Sequence, residues 1–216
     1  MITLVALLAV ALVPGLAAAA PRAVASEFVG TAAQCGGNAG SRIVSSQWVD
    51  GLGLPDNLAI NNDDTSTAAK RDMRRGLLLS KNGLSSDCSA PGARITGVFN
   101  QTFSELGFDY RNGTHCGAGA PRFNVVTDDG VFHFVGGCAN GVKTPAPQDP
   151  AEWTRVRFDG GASNGFPPIA PGTGITSIEI VYDEGTDTAS VPDDPAGVGL
   201  SIIDNIDING TLISKP

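Results

Sequence analysis

The residues whose types and spacing most clearly suggest chemistry in this sequence are carboxylates near its C-terminal end. Between residues 183 and 207 there is no lysine or arginine, and the acidic residues are Asp183, Glu184, Asp187, Asp193, Asp194, Asp204 and Asp207. Clustered oxygen ligands on loops are typical of Ca²⁺ sites outside cells. No EF-hand spacing is present, so a site would be assembled from separate segments, with Asp183 and Asp187 as one candidate pair. A solvated acidic loop is the alternative interpretation.

Asp204 interrupts the apolar alternation of its own segment. The alternating apolar residues there are Leu200, Ile202, Ile206 and Ile208. A regular strand would direct Asp204 to the same side as these residues, which is the core. A buried carboxylate must be paired, hydrogen-bonded or bound to a metal. A bulge at Ile203, which would turn Asp204 outward, is the alternative.

Nucleophilic and histidine chemistry find little support. Residues 161–165 read GASNG and match the G-x-S-x-G pattern of a serine nucleophile, but the prolines at 167, 168 and 171 exclude the helix that must follow. We therefore predict a glycine-rich turn. Neither His115 nor His133 has a second histidine or cysteine at metal-ligand spacing. We expect His115 to make a loop contact near Cys116, and His133 to lie on the outer face of a strand.

The composition limits the classes of protein to which these residues can belong. The chain has 216 residues, 42% of them hydrophobic and 17% charged, with 28 Gly and 14 Pro. The charged fraction is too low for a disordered chain, and the glycines and prolines have no collagen period, so a folded domain rich in turns is expected. The net charge of -8 at pH 7 argues against nucleic acid as a partner.

The N-terminal segment predicts export. Residues 2–13 are a continuous apolar run that is too short to span a bilayer, and small residues follow it. Ala23-Val24-Ala25 matches the A-x-A cleavage pattern, so residues 1–25 are predicted to be a signal peptide and residues 26–216 a single domain. No later apolar stretch approaches membrane length, so no membrane span is expected in the mature chain, which we expect to be secreted.

The four cysteines predict two disulfides, because an even number in an exported chain favours bridges over thiol or zinc chemistry. Residues 122–127 and 131–135 read as a hairpin whose turn is Asp128-Asp129-Gly130. Pairing Phe123 with Phe134 across this hairpin brings Cys116 and Cys138 close together at its open end. By elimination, Cys35 then pairs with Cys88.

Short β-branched or aromatic runs between turn residues make up most of the remaining chain. They lie at residues 43–49, 76–79, 95–99, 106–110, 154–158, 175–182 and 199–208, and residues 67–75 are the one weak candidate for a helix. Many antiparallel strands with at most one short helix predict an all-β fold, namely an antiparallel β-sandwich or jelly roll.

Two stretches carry a resemblance to known proteins. The C-terminal segments ITSIEIVYDEG at 175–185 and IIDNIDING at 202–210 resemble the last two strands of secreted jelly rolls of the carbohydrate-binding-module type. The stretch LGFDYRNGTHCGAGAPRFNV at 106–125 resembles exported bacterial proteins without an assigned function. The first resemblance implies a structural Ca²⁺ held between an acidic residue near the first strand and one in the last strand. Glu27 and Asp204 are the residues at those positions.

Two functions are compatible with this sequence. The first is a secreted, non-catalytic domain that binds an extracellular glycan or cell-wall polymer, for which Trp48 and Trp153 are the candidate stacking residues. The basic cluster at residues 70–75 could attract an acidic polymer, or be a solvated face. The alternative is a secreted hydrolase that uses carboxylates as acid and base, with Asp109, Glu105 or the C-terminal carboxylates as candidates.

Overall fold

The computed structural model describes residues 21–37, 39–40, 43–54, 74–99, 101–188 and 198–213. These residues form thirteen strands, numbered here in chain order. The strands are β1 (Arg22–Val29), β2 (Val44–Val49), β3 (Gly76–Lys81), β4 (Ser89–Thr96), β5 (Leu106–Arg111), β6 (Arg122–Thr127), β7 (Phe132–Gly136), β8 (Val142–Pro145), β9 (Trp153–Phe158), β10 (Gly165–Phe166), β11 (Ile175–Val181), β12 (Leu200–Ile208) and β13 (Thr211–Leu212).

The strands form two antiparallel sheets that pack face to face, so the predicted all-β sandwich is confirmed. Sheet A has the order β1-β4-β11-β6-β7-β10, and sheet B has the order β2-β3-β12-β5-β9-β8, with β13 added to β12. Within the described ranges the one helical element is a 3-10 turn at Cys138–Asn140. The predicted helix at 67–75 lies outside the described residues except for Arg74 and Arg75, and β3 begins directly after them.

Apolar side chains from both sheets meet in the layer between them. Phe123 of sheet A lies 5.7 Å from Phe108 and 6.1 Å from Phe158 of sheet B, measured between ring centroids. All three rings are fully buried. Burial of large apolar side chains is the main favourable contribution to folding, so these rings join the two sheets into one core.

The central strand of sheet B, β12, changes its register once. Ile203 faces the core between the sheets, and so do Ile206 and Ile208, although strict alternation would put 203 and 206 on opposite faces. The change occurs at Asn205, whose φ of 45° marks an irregularity in the pairing with β5. Asp204 therefore lies on the outer face of sheet B rather than in the central core that the alternation predicted.

The hairpin of β6 and β7 forms as expected, but its register differs by one residue from the predicted one. Phe123 pairs with Val135 rather than with Phe134. The loop has three residues, because the Thr127 N–H donates to the Val131 carbonyl oxygen, and Gly130 takes a φ of 80° that closes this turn. A one-residue shift exchanges the two faces of a strand. The prediction that His133 lies on the outer face is therefore wrong.

Strand β1 begins before the predicted mature N-terminus. Its residues pair with β4 from Arg22, opposite Thr96, to Val29, opposite Ser89. The predicted boundary between Ala25 and Ser26 thus falls in the middle of a strand. Residues 1–20 lie outside the described residues, so the signal peptide itself stays a prediction.

Both predicted disulfides are confirmed: Cys35 is bonded to Cys88, and Cys116 to Cys138. Such bonds are typical of proteins outside the reducing cytosol. The bond between Cys116 and Cys138 lies in the buried core, whereas both cysteines of the other bond are half-buried. In the part of the chain that the structure describes, no helix is long and apolar enough to cross a membrane.

The different burial of the two disulfides predicts different effects on stability. The bond between Cys35 and Cys88 spans 53 residues, and the bond between Cys116 and Cys138 spans 22. The longer loop restricts the unfolded chain more, which stabilises the folded state by about 0.8 kcal/mol more than the shorter loop does. Replacing Cys116 and Cys138 by alanine also removes two buried sulfur atoms, at a cost of about 1–2 kcal/mol each. We therefore expect the double alanine variant at 116 and 138 to lose more unfolding free energy in urea than the variant at 35 and 88. An equal or reversed order would contradict this prediction.

Candidate binding face

One row of side chains crosses the outer face of sheet A through all six strands. Direct cross-strand partners link each residue to the next, and the row reads Val24, Arg94, Glu179, Asn124, Phe134 and Phe166. Its composition changes along its length from an aliphatic side chain, through an ion pair and an amide, to two aromatic rings. We call this set the cross-strand row.

Three phenylalanines form an exposed aromatic patch at one end of the cross-strand row. Phe132, Phe134 and Phe166 are 45%, 43% and 48% exposed. The rings of Phe132 and Phe134 meet edge to face, with centroids 4.9 Å apart. Large apolar side chains that are exposed as a group, rather than singly, mark interaction sites.

The aromatic patch is continuous with a fixed charge pair. The Arg122 guanidinium lies 5.0 Å from the centroid of the Phe134 ring, a cation–π arrangement. It also donates two hydrogen bonds to the Asp183 carboxylate, at 2.5 and 2.8 Å. Because this bidentate contact fixes the guanidinium plane, Arg122 offers an ordered polar edge beside the exposed rings.

A groove of about 440 Å³ occupies the other half of the same face. Arg94, Asn124 and Glu179 of the cross-strand row line it, together with serines of the loop that joins β3 to β4. Gly92 forms part of its wall, where a Cβ atom would stand 2.1 Å from the carbonyl oxygen of Ile180. A side chain at this position would therefore collide with the backbone of β11.

Lys81 holds the loop that forms the wall of the groove. Its side chain is fully buried, and its Nζ donates to the carbonyl oxygens of Ser85, Asp87 and Asp183 at 3.2, 2.7 and 2.9 Å. Burial lowers the pKa of Lys81, while the nearby carboxylates of Asp183, Asp87 and Asp187 oppose that shift. The ammonium group thus connects the β3–β4 loop to the end of β11.

Asp187 closes the same loop from the other side. Its carboxylate accepts hydrogen bonds from the backbone N–H and the hydroxyl of Ser85, at 2.7 and 2.8 Å. These hydrogen bonds hold the pKa of Asp187 below its usual range. The candidate calcium pair of Asp183 and Asp187 is therefore engaged by Arg122 and Ser85, respectively.

His115 makes the loop contact that its position suggested, with a partner that the sequence did not reveal. The ring is fully buried, and its Nε2 lies 2.6 Å from a carboxylate oxygen of Glu184. Glu184 also accepts the backbone N–H groups of Gly119 and Ala120. Because the imidazole has no exposed surface, this pair fixes the loop around Cys116 rather than meeting a substrate.

His133 is buried as well, on the inner side of β7. Its Nδ1 lies 2.8 Å from the carbonyl oxygen of Pro167, and its Nε2 lies 3.0 Å from the hydroxyl of Thr127. Both ring nitrogens therefore have hydrogen-bond partners, Thr127 within the hairpin and Pro167 directly after β10. These two hydrogen bonds give His133 a structural role.

The outer face of sheet B carries the charged residues that were candidates for a hydrolase. Asp109 is fully buried and accepts hydrogen bonds from Arg155 at 3.0 and 3.2 Å and from the Asn205 amide at 2.8 Å. Arg157 contacts Asp207 at 3.2 Å and Glu105 at 3.8 Å. The structure thus brings these carboxylates together and pairs them with arginines. Asp109 and Asp207 are buried, whereas the Glu105 side chain is 43% exposed.

Asp204 belongs to the same buried face. Its two carboxylate oxygens accept the backbone N–H groups of Leu54 and Asn205, at 2.8 and 2.7 Å. Glu27 lies in sheet A and accepts the N–H of Ser46 at 3.0 Å. Among the described residues, no group of three or more His, Cys, Asp and Glu side chains is arranged to hold a metal ion. The calcium site stays a prediction.

The two tryptophans do not form an exposed platform. Trp153 is 3% exposed and packs with Leu54, Ala146 and Ile202 on the outer side of sheet B. Trp48 is half-buried against the core, and its indole N–H donates to the carbonyl oxygen of Ala23 at 2.9 Å. The aromatic patch on sheet A, which the sequence did not single out, is the exposed alternative to these rings.

The G-x-S-x-G segment forms the turn that its prolines predicted. Asn164 is 3% exposed, and its side chain accepts the N–H of Gly160 and donates to Asp159. Strand β10 begins at Gly165, the last residue of the segment, and no helix follows. Residues 161–165 therefore shape the edge of sheet A that carries Phe166.

Comparisons of the chain with protein-family models, with curated proteins and with solved structures found no match. The assignment of a site therefore rests on the geometry of this chain.

Lys81→Met should destabilise the protein, because it leaves three partly buried carbonyl oxygens without their donor. We expect a loss of about 2–4 kcal/mol in unfolding free energy, measured by urea denaturation. Lys143→Met is the matched control, because Lys143 is less buried than Lys81 and its ammonium lies 5.4 Å from the centroid of the Tyr110 ring, a cation–π contact worth about 0.5–1 kcal/mol. Equal losses in the two variants would show that Lys81 does not hold the loop.

The calcium hypothesis can be tested by melting the protein in EDTA and in millimolar calcium. A site at Glu27 and Asp204, or at Asp183 and Asp187, predicts a higher melting temperature in calcium, because the ion binds the folded state. Asp204→Asn disturbs the hydrogen bond from Leu54 in either buffer. The informative quantity is therefore the calcium-dependent shift, which this variant should abolish if Asp204 is a ligand. Identical melting of the unmodified protein in both buffers would rule the site out.

Proposed function

We propose that this protein is a secreted binding domain that holds an extracellular glycan or cell-wall polymer on the outer face of sheet A. In this proposal the domain carries out no reaction on its ligand. The observation that carries it is the cross-strand row, which presents two of the three exposed phenylalanine rings, an amide and an ion pair on one open face.

The chemistry of this face suits a sugar polymer. A sugar ring has apolar C–H faces that pack on aromatic rings, and hydroxyl edges that require donors and acceptors nearby. Phe134 and Phe166 supply the rings. Asn124 and Arg122 supply polar groups at their edge, and Asp183 already orders Arg122. An ordered site loses less conformational entropy when it binds.

The dimensions of the face suit an extended ligand. Neighbouring strands lie about 4.8 Å apart, so a row across six strands extends about 24 Å. The groove of about 440 Å³ lies along the same row, next to the aromatic patch. A polymer that crosses the strands would contact the groove and the rings together, with several units bound at once.

The charges favour a neutral polymer. Arg94 contacts Glu179, and Arg122 contacts Asp183, so the arginines beside the groove and the aromatic patch are already paired. The chain carries a net charge of -8, which repels an acidic polymer. In the basic cluster at residues 70–75, Arg75 is paired with Asp50, and residues 70–73 lie outside the described residues.

The two disulfides support export, because such bonds persist outside the reducing cytosol. The hydrolase alternative has no comparable support, since Asp109 is buried and paired with Arg155. The hydrolase function stays a prediction. Release of sugar from a panel of polysaccharides would support it.

The proposal predicts that Phe134→Ala and Phe166→Ala each weaken binding to a neutral polysaccharide about tenfold, because each removes one stacking surface. The measurement is calorimetric titration with soluble neutral oligosaccharides, after a screen of insoluble polysaccharides for retention of the protein.

Phe99→Ala is the matched control, since Phe99 is 69% exposed and lies outside the cross-strand row. We expect this variant to bind like the unmodified protein. The melting temperature of each variant checks that it is folded at the temperature of the titration. Retention on no neutral polysaccharide, or equal affinity of all three variants, would contradict the proposed function.

A further inference from the structure

Strand β1 conflicts with the cleavage position that the A-x-A pattern at residues 23–25 suggests. Four of its eight residues, 22–25, precede that position. They pair in unbroken register with β4, where Arg22 is opposite Thr96 and Ala25 is opposite Ala93. A chain that began at Ser26 would lack half of this strand, and residues 93–96 of β4 would become an unpaired edge.

The residues before Ser26 are also part of the packing. Ala23 is fully buried in the core, and its carbonyl oxygen accepts the indole N–H of Trp48 at 2.9 Å. Ala25 packs against the same core on the same side of β1. The small side chains at 23 and 25, which produced the A-x-A pattern, are therefore explained by close packing on the inner face of the strand.

A second small-residue pattern lies a few residues upstream. Residues 17–20 are all alanine, and Pro21 follows them. Cleavage after Ala20 would place proline at the first position of the product, which signal peptidases disfavour. Cleavage after Ala19 has alanine at both recognition positions, 17 and 19, and leaves Ala20 before the proline.

We infer that processing for export cuts the bond between Ala19 and Ala20 and leaves the whole of β1 in the mature chain. The reaction is hydrolysis of one peptide bond, in which water supplies the hydroxyl of the new carboxylate and the hydrogen of the new amine. The inference rests on the export proposed above, but it is independent of the ligand that the domain binds.

The test is the intact mass of the protein recovered after export of the full 216-residue chain from a bacterial host. A first residue at Ala20 is the expected result. A cut that leaves another first residue at or before Arg22 retains β1 but overturns the assignment of the bond, and an exported chain that still begins at Met1 overturns the inferred processing. A first residue after Arg22 overturns the inference while export stands, and recovery of the uncut chain inside the cell overturns both.

Two variants separate the competing cleavage patterns. Ala19→Leu places a large residue beside the proposed bond, and we expect uncut precursor to accumulate. Ala25→Leu does the same at the other pattern, and we expect its precursor to be cut like the unmodified chain. The opposite outcome would assign cleavage to residue 25.

A folding measurement gives an independent readout. Purified chains that start at Ala20 and at Ser26 should differ in melting temperature by roughly 10 °C, the longer chain being more stable, because half of β1 and the Trp48 hydrogen bond are missing from the shorter one. Equal melting temperatures would show that residues 22–25 are dispensable and would overturn the structural reason for the inference.

Discussion

The change of register at Asn205 in β12 is the constraint on which the arrangement of sheet B depends. This strand lies between β3 and β5 and must direct apolar residues into the core along its whole length. Asparagine tolerates a φ of 45° better than most residues, and its amide donates to Asp109 while its backbone N–H donates to Asp204. Asn205 thus changes which side chains of β12 face the core, and it is itself held by hydrogen bonds to two buried carboxylates.

That switch gives the two outer faces of the sandwich different properties. On sheet B it places Asp204 and Asp207 outside the core, where Leu54 and Arg157 engage them below the surface. These two carboxylates are therefore already engaged by groups of the same chain. On sheet A the outer face remains exposed, and its polar groups lie beside aromatic rings and a groove. The exposed aromatic rings and the groove are therefore both on sheet A.

The sequence predicted the class of fold and the cysteine pairing, because both depend on local pattern and on spacing. It did not predict the aromatic patch, because the orientation of Phe132 and Phe134 depends on the hairpin register. The turn contained the necessary signal. A glycine at the third loop position, as in Asp128-Asp129-Gly130, favours a three-residue loop, and the corresponding register turns His133 inward and both phenylalanines outward. Long-range partners such as Glu184 for His115 have no signal of this kind.

The acidic C-terminal stretch shows how far composition can inform on function. Carboxylates without a nearby lysine or arginine in sequence suggest a metal, since repulsion between them must be relieved. In space, the chain supplies its own cations from other strands: Lys81 faces Asp183 and Asp87, Arg122 grips Asp183, and Arg157 contacts Asp207. A lysine or arginine side chain relieves the same repulsion between carboxylates as a bound metal ion, and folding itself brings it into place. The acidic stretch is thus matched by lysine and arginine side chains of the same chain, and its composition alone does not require a metal ion.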